Sequence, residues 1–184
     1  MQKTKIIFLR VVKRPERKVL IRRGVKANDY WSYCAEVGCD VWDTLSAMPS
    51  LLGEPVCLWL PERLVEAGTG VYVQGVEEPC DFAGEIPDGF DVISLPESEY
   101  LMFQGEPFEE ENFAEAIEEV HSAIERYDLS ALGYCRDEDN PRIQLEPRGS
   151  RGYIEFLAIK PLVREEKGES GTEGKGAGAK GMLS

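Results

Sequence analysis

Glu155 is the residue in this chain best placed to do chemistry. It lies in Tyr153-Ile154-Glu155-Phe156-Leu157-Ala158-Ile159, between Gly152 and Pro161. β-Branched and aromatic residues between such breakers predict a buried strand. Alternation puts Tyr153, Glu155, Leu157 and Ile159 on one face. A carboxylate among those neighbours is costly unless something binds it or pairs with it. Glu155 is then either an acid in a pocket, orienting a ligand or moving a proton, or a structural ion-pair partner of Arg142 or Arg148. Tyr153 on the same face lines that pocket or hydrogen-bonds through its hydroxyl.

Other chemistries lack their residues. His121 is the only histidine, and the five cysteines (34, 39, 57, 80 and 135) form no CxxC pair, so no metal site and no cofactor are expected. There is no G-x-S-x-G elbow and no phosphate-cradling G-x-x-x-x-G-K-[ST]. A net charge of −13 opposes a nucleic-acid partner. The basic residues between Lys13 and Arg23 read as a solvated strand edge and turn. The negative field favours small cations. No apolar run is long enough to span a membrane. The start has no small-residue cleavage site, and the cysteines read as reduced thiols, so a cytoplasmic location is expected.

The elements that must hold Glu155 occur twice. Tyr72-Val73-Gln74 stands 81 residues before Tyr153-Ile154-Glu155, and the same offset carries Pro15-Glu16 onto Pro96-Glu97, Leu20 onto Leu101 and Gly24 onto Gly105. A constant offset over separate matches indicates an internal duplication, with repeats at about 5–78 and 90–163. Each repeat reads as a leading hairpin strand followed by β-α-β-β. The first has extended segments on either side of Arg14-Pro15-Glu16. A helix then runs from Asn28 or Asp29 to just before Pro49, interrupted in propensity at Gly38, and strands follow at Val56–Leu60 and Val71–Val76. The second has strands around Pro96-Glu97, a helix with Phe113, Ala116, Ile117, Val120 and Ile124 on one face, and strands near Leu132–Cys135, Arg142–Pro147 and Tyr153–Lys160. The Arg142 segment breaks the constant offset. The expected class is α+β: two pseudo-twofold β-α-β-β units, a mainly antiparallel sheet, two helices and a central groove, all within residues 1–163. The Gly-, Glu- and Lys-rich stretch 164–184 reads as a disordered tail.

Tyr72 and Gln74, as the twins of Tyr153 and Glu155, are candidate groove residues, and so are Trp59, Tyr100 and Met102. Tyr30, Trp31 and Trp42 ride the first helix and read as core.

A short Pro-x-x-x-Tyr strand (Pro96 to Tyr100), a Gln-Gly-x-Pro-Phe turn (Gln104 to Phe108), an amphipathic helix and a final Tyr-Ile-Glu strand (Tyr153 to Glu155) come in that order. In this the chain resembles the GyrI-like family, the effector-binding domain of AraC-type and multidrug-sensing transcription regulators. The resemblance implies a groove that takes hydrophobic, often cationic or aromatic, small molecules, with Glu155 at its floor. It also implies an alternative, a hydrolase opening cyclopropane rings of reactive compounds with Glu155 as general acid or base. Regulators of the family carry a helix-turn-helix domain that the sequence here has no room for, which implies a stand-alone domain or a fragment of a longer chain. A third class, an acidic partner for a basic protein, follows from the charge alone.

Overall fold

The computed structural model describes residues 5–163; the stretch expected to be a disordered tail lies outside the described residues. Strands β1 (Ile7–Arg14) and β2 (Arg17–Arg23) flank Pro15-Glu16. Helices α1 (Tyr30–Val37) and α2 (Asp40–Ser46) follow, then β3 (Val56–Trp59) and β4 (Tyr72–Pro79). The second half has β5 (Asp91–Leu95), β6 (Ser98–Gly105), α3 (Phe113–Arg126), β7 (Tyr134–Arg136), β8 (Arg142–Gln144) and β9 (Ile154–Pro161). The strands form one sheet in the order β1-β6-β9-β8-β3-β4-β2-β5, with β7 paired to the end of β9. Every pairing is antiparallel. The class is α+β, as expected.

The duplication is visible in the registers. Leu20 opposes Val76 in the first half and Leu101 opposes Leu157 in the second, each 81 positions on. Arg14 opposes Ser98 and Leu95 opposes Arg17, which is the same offset applied to the outer strands. Only β3 and β8 depart from it: Val56 opposes Gly75 while Ile143 opposes Phe156, so β8 sits six positions later. The extra residues lie in the loops on either side of β7, where an insertion disturbs no ladder.

Two expectations need correction. The strands flanking Pro15-Glu16 are not a hairpin: β1 pairs with β6 and β2 with β5, so each half lends its leading strand to the other. The chain turns a corner there because Arg17 points inward. Fully buried, its guanidinium donates to the Pro15 carbonyl, to Glu77 (2.9 Å) and to the Tyr100 hydroxyl (3.3 Å). Arg17 is on β2 and Tyr100 on β6, with four strands between them in the sheet order. The helix-free face therefore curls over itself around Val19, Ile21, Val56, Leu58, Tyr100, Ile143 and Phe156. The expected single first helix is also two. Asp29 caps α1, its side chain accepting from the Ser32 amide at 2.7 Å while Ser32 answers the Asp29 amide. Gly38 then takes φ +97°, a value that L side chains avoid, and ends the helix.

All three helices cover the other face. Val120 and Ile124 of α3 are fully buried or nearly so against Leu101, Phe103 and Leu157. Burial of each such side chain contributes about 1.5–3 kcal/mol. Leu20, Val41, Leu45 and Val76 do the same under α2.

Candidate functional site

One row of side chains runs across the middle of the helix-covered face. Gln74 opposes Cys57, Cys57 opposes Gln144, and Gln144 opposes Glu155. Directly opposed residues share a face. Cys57 and Gln144 are equivalents under the duplication and oppose each other, so the pseudo-twofold axis passes through that pair. Gln74 and Glu155 sit symmetrically on either side of it.

The helices flank this axis without meeting over it. The gap is a cavity of about 480 Å³ with an aromatic lining, within the usual size range for small-molecule sites. Cys57, Trp59, Tyr72 and Gln144 form its floor. Tyr30, Trp31 and Trp42 wall it on the first-half side, and Phe113, Ile117 and His121 of α3 on the other. All three tryptophans of the chain face this one space. Trp59 is fixed by a hydrogen bond from its indole N–H to the Asn28 carbonyl (3.1 Å) and meets Tyr72 edge-on at 5.2 Å between centroids. Trp31 is 71% exposed, although tryptophan favours burial. Another cleft, of about 280 Å³, is lined mostly by charged and polar residues such as Lys13, Glu97, Glu99 and Asp137.

Glu155 stands one strand beyond the floor, fully enclosed. Three donors converge on it. The Arg142 Nε reaches Oε1, the Tyr153 hydroxyl donates to Oε2 at 2.7 Å, and His121 Nε2 lies 2.9 Å from Oε2. The Arg142 guanidinium also lies over the Trp59 ring, 5.7 Å from its centroid. Burial first, and then the Arg142 guanidinium, holds the His121 imidazole below its usual range. A neutral imidazole beside a carboxylate donates from Nε2, which leaves Nδ1 as the free basic nitrogen. Burial raises the Tyr153 and Tyr72 phenols, so both remain protonated donors. Burial also pushes the Cys57 thiol up to about 12, which leaves it a poor nucleophile.

The seven candidate residues thus separate. Trp59 and Tyr72 line the cavity. Glu155 and Tyr153 lie behind its wall, and of the two roles open to Glu155 the structure shows the ion pair with Arg142. Gln74 is buried at the symmetric place, away from the lining. Tyr100 and Met102 are on the wrong face: Phe103 opposes Glu155, so its even-numbered neighbours point into the helix-free core. Tyr30, Trp31 and Trp42, expected in the core, are cavity walls instead. Sequence reasoning passed over Phe113, His121 and Gln144. Spacing puts Phe113 on the apolar stripe of its helix, but it begins α3 and is 43% exposed.

Among the described residues no group of three His, Cys, Asp or Glu side chains could hold a metal ion, and no helix is long and apolar enough to cross a membrane.

No protein-family model and no curated protein matches the sequence. Several solved structures share the fold. One is a candidate bacterial transcription regulation protein from Staphylococcus aureus MU50, at 15% identity and a TM-score of 0.53, over 83% of this chain and 98% of that one. Another is SAV2435 bound to tetraphenylphosphonium, at 16% identity and a TM-score of 0.51, over 83% and 92%. A third is the EcmrR C-terminal domain, at 12% identity and a TM-score of 0.53, over 85% and 99%. At these identities the likeness shows the fold alone.

Proposed function

We propose that this chain binds an aromatic small molecule in the groove on its pseudo-twofold axis, sensing or sequestering it as a GyrI-like effector-binding domain does. The observation that carries this is the convergence of all three tryptophans on one cavity of about 480 Å³. A domain gains nothing in stability by leaving Trp31 71% exposed at a cavity mouth; exposed clustered aromatics mark interaction sites. The presence of tetraphenylphosphonium in SAV2435 agrees with a fold that takes bulky aromatic compounds. A role in transcription regulation, AraC-type or multidrug-sensing, would require coupling to a DNA-binding domain.

The alternative is hydrolysis of a reactive compound with Glu155 as general acid or base. Its carboxylate is fully enclosed and has three donors. The group able to exchange a proton with a bound compound is therefore His121, with Glu155 orienting it. Single-turnover assays of His121→Gln with an electrophilic aromatic probe would separate the two: loss of binding supports a binding site, and loss of turnover alone supports an enzyme.

The direct test is intrinsic tryptophan fluorescence titrated with tetraphenylphosphonium and with 10-methylacridone. Saturable quenching by at least one of them, weakened about fivefold or more by Trp31→Ala, is expected, because aromatic anchors dominate such sites. Absence of saturation with both compounds up to millimolar concentration would overturn the proposal.

A further inference from the structure

The duplication places equivalent strands at the two ends of the sheet, β1 at one and β5 at the other. An uncovered edge is a template for pairing with another chain, so proteins shorten or charge the edges they keep to themselves. β5 is such an edge. It has five residues, with Ile93 and Leu95 buried. What it exposes is Ser94 and Asp91, and Asp91 pairs with Arg23 at 2.7 Å. β1 is the opposite. It has eight residues, and Phe8, Leu9 and Val11 on it, with Ile6 just before it, are 40–55% exposed. Among the described residues no strand pairs with its outer side.

The ladder shows which backbone groups that side presents. The Gly105 amide donates to the Tyr153 carbonyl beside β9 at 3.0 Å. Backbone groups alternate in direction along an antiparallel strand. Gln104, Met102 and Tyr100 therefore turn theirs to β1, where they meet Phe8, Arg10 and Val12. The amides and carbonyls of Ile7, Leu9 and Val11 point out of the sheet.

The side chains fit a second copy of the same strand. A twofold axis at Leu9 sets Leu9 against the partner's Leu9 and Ile7 against the partner's Val11 on the helix-covered face. On the other face Ile6 meets the partner's Val12, and Phe8 meets the partner's Arg10. Arg10 is exposed in the single chain and gains an aromatic face. The exposed Lys13 comes opposite the partner's Lys5, a residue held by Glu115 at 3.5 Å and Glu119 at 2.6 Å, so it meets a cluster of net negative charge. An axis at Arg10 would instead oppose two arginines, and one at Phe8 would leave Lys13 unmatched. β1 itself carries no carboxylate, so the copy answers its cations with groups from both faces. Self-complementarity of this kind is what an isologous interface requires.

We infer that β1 is the interface of a homodimer, in which two nine-stranded sheets join edge to edge about Leu9 into one antiparallel sheet. Outward backbone groups supply the ladder, and the apolar side chains on both faces of it leave water together.

Sedimentation equilibrium of the full chain tests this. The mass should rise from monomer toward dimer between about 1 and 100 µM, the range of a modest interface. Val11→Pro removes an outward N–H that no neighbouring strand uses. It should weaken the dimer by about tenfold or more and melt within about 3 °C of the native protein. Phe8→Lys opposes a second cation to Arg10 and should weaken the dimer similarly, and adding Arg10→Glu should restore it, because each lysine then faces a carboxylate. A chain that stays monomeric to about 1 mM would overturn the inference, whether or not its edge then takes an extended peptide of another protein. So would a dimer that neither Val11→Pro nor Phe8→Lys weakens, which would place the interface elsewhere.

Discussion

Replacing Glu155 by glutamine tests how the floor of the site is held. The change keeps shape and removes a charge that three donors share. The Tyr153 hydroxyl and His121 can each still find an oxygen, but the amide presents one acceptor and one donor where the carboxylate presented two acceptors. Arg142 loses its closest partner. Removing one member of a buried pair costs about 3–5 kcal/mol because the other is left uncompensated. Here the Arg142 side chain is 26% exposed and keeps Glu125 Oε1 at 3.7 Å, so water and a second carboxylate offset part of the loss. The expected destabilisation is about 2–3 kcal/mol. It would appear in urea unfolding as a lower midpoint at constant slope, and in thermal unfolding as a fall of about 5–10 °C. Adding Arg142→Met should recover part of the loss, because the double variant leaves no charge unpaired. A Glu155→Gln protein within about 0.5 kcal/mol of the native one would refute the ion-pair account.

Three further outcomes are expected. The single histidine gives one unambiguous imidazole NMR signal, which should titrate below 6.5 and move up when Arg142 is replaced. The unfolded chain then binds the proton more readily than the folded one, so this contribution to stability is present in full above pH 6.5 and declines as pH falls toward the folded value; a folded value above 6.5 would contradict this. Gly38→Ala forces a side chain into φ +97° with its Cβ near Asp40 and should cost about 1–3 kcal/mol by thermal melting, whereas a neutral result would mean that the α1–α2 break can relax. Trp31→Ala should leave stability within about 0.5 kcal/mol while weakening aromatic ligands, because its ring is 71% exposed; a large loss of stability would make Trp31 a core residue.

The duplication was legible because strand positions carry core and turn constraints that both copies must meet: the Tyr72 and Tyr153 twins, and the Pro15 and Pro96 corners. The strand exchange was not. Alternation says which face a residue takes, never which strand lies beside it, and β1 carries the same pattern whether it pairs with β2 or β6. That also misplaced Tyr100 and Met102, whose face depends on the Phe103–Glu155 register. Glu155 was legible as a buried carboxylate, and Arg142 as one of two candidate partners. The third donor, His121, reaches it from a helix 34 positions earlier in the chain. The cavity walls escaped because helical spacing identifies apolar faces but not which of them stay uncovered. Tyr30 and Trp31 open the α1 helix directly after the Asp29 cap, and they line the cavity instead of packing into the core.

The claim that the groove takes the ligand is tested most directly by ¹H–¹⁵N spectra of the indole N–H groups during titration with 10-methylacridone. The chain has three tryptophans, and Trp31, Trp42 and Trp59 all line the one cavity. All three indole signals should shift together along one saturation curve, and Trp31→Ala should move the curve of the remaining two to higher ligand concentration. Three indole signals that stay in place while other resonances shift and saturate would put the ligand elsewhere and contradict the account.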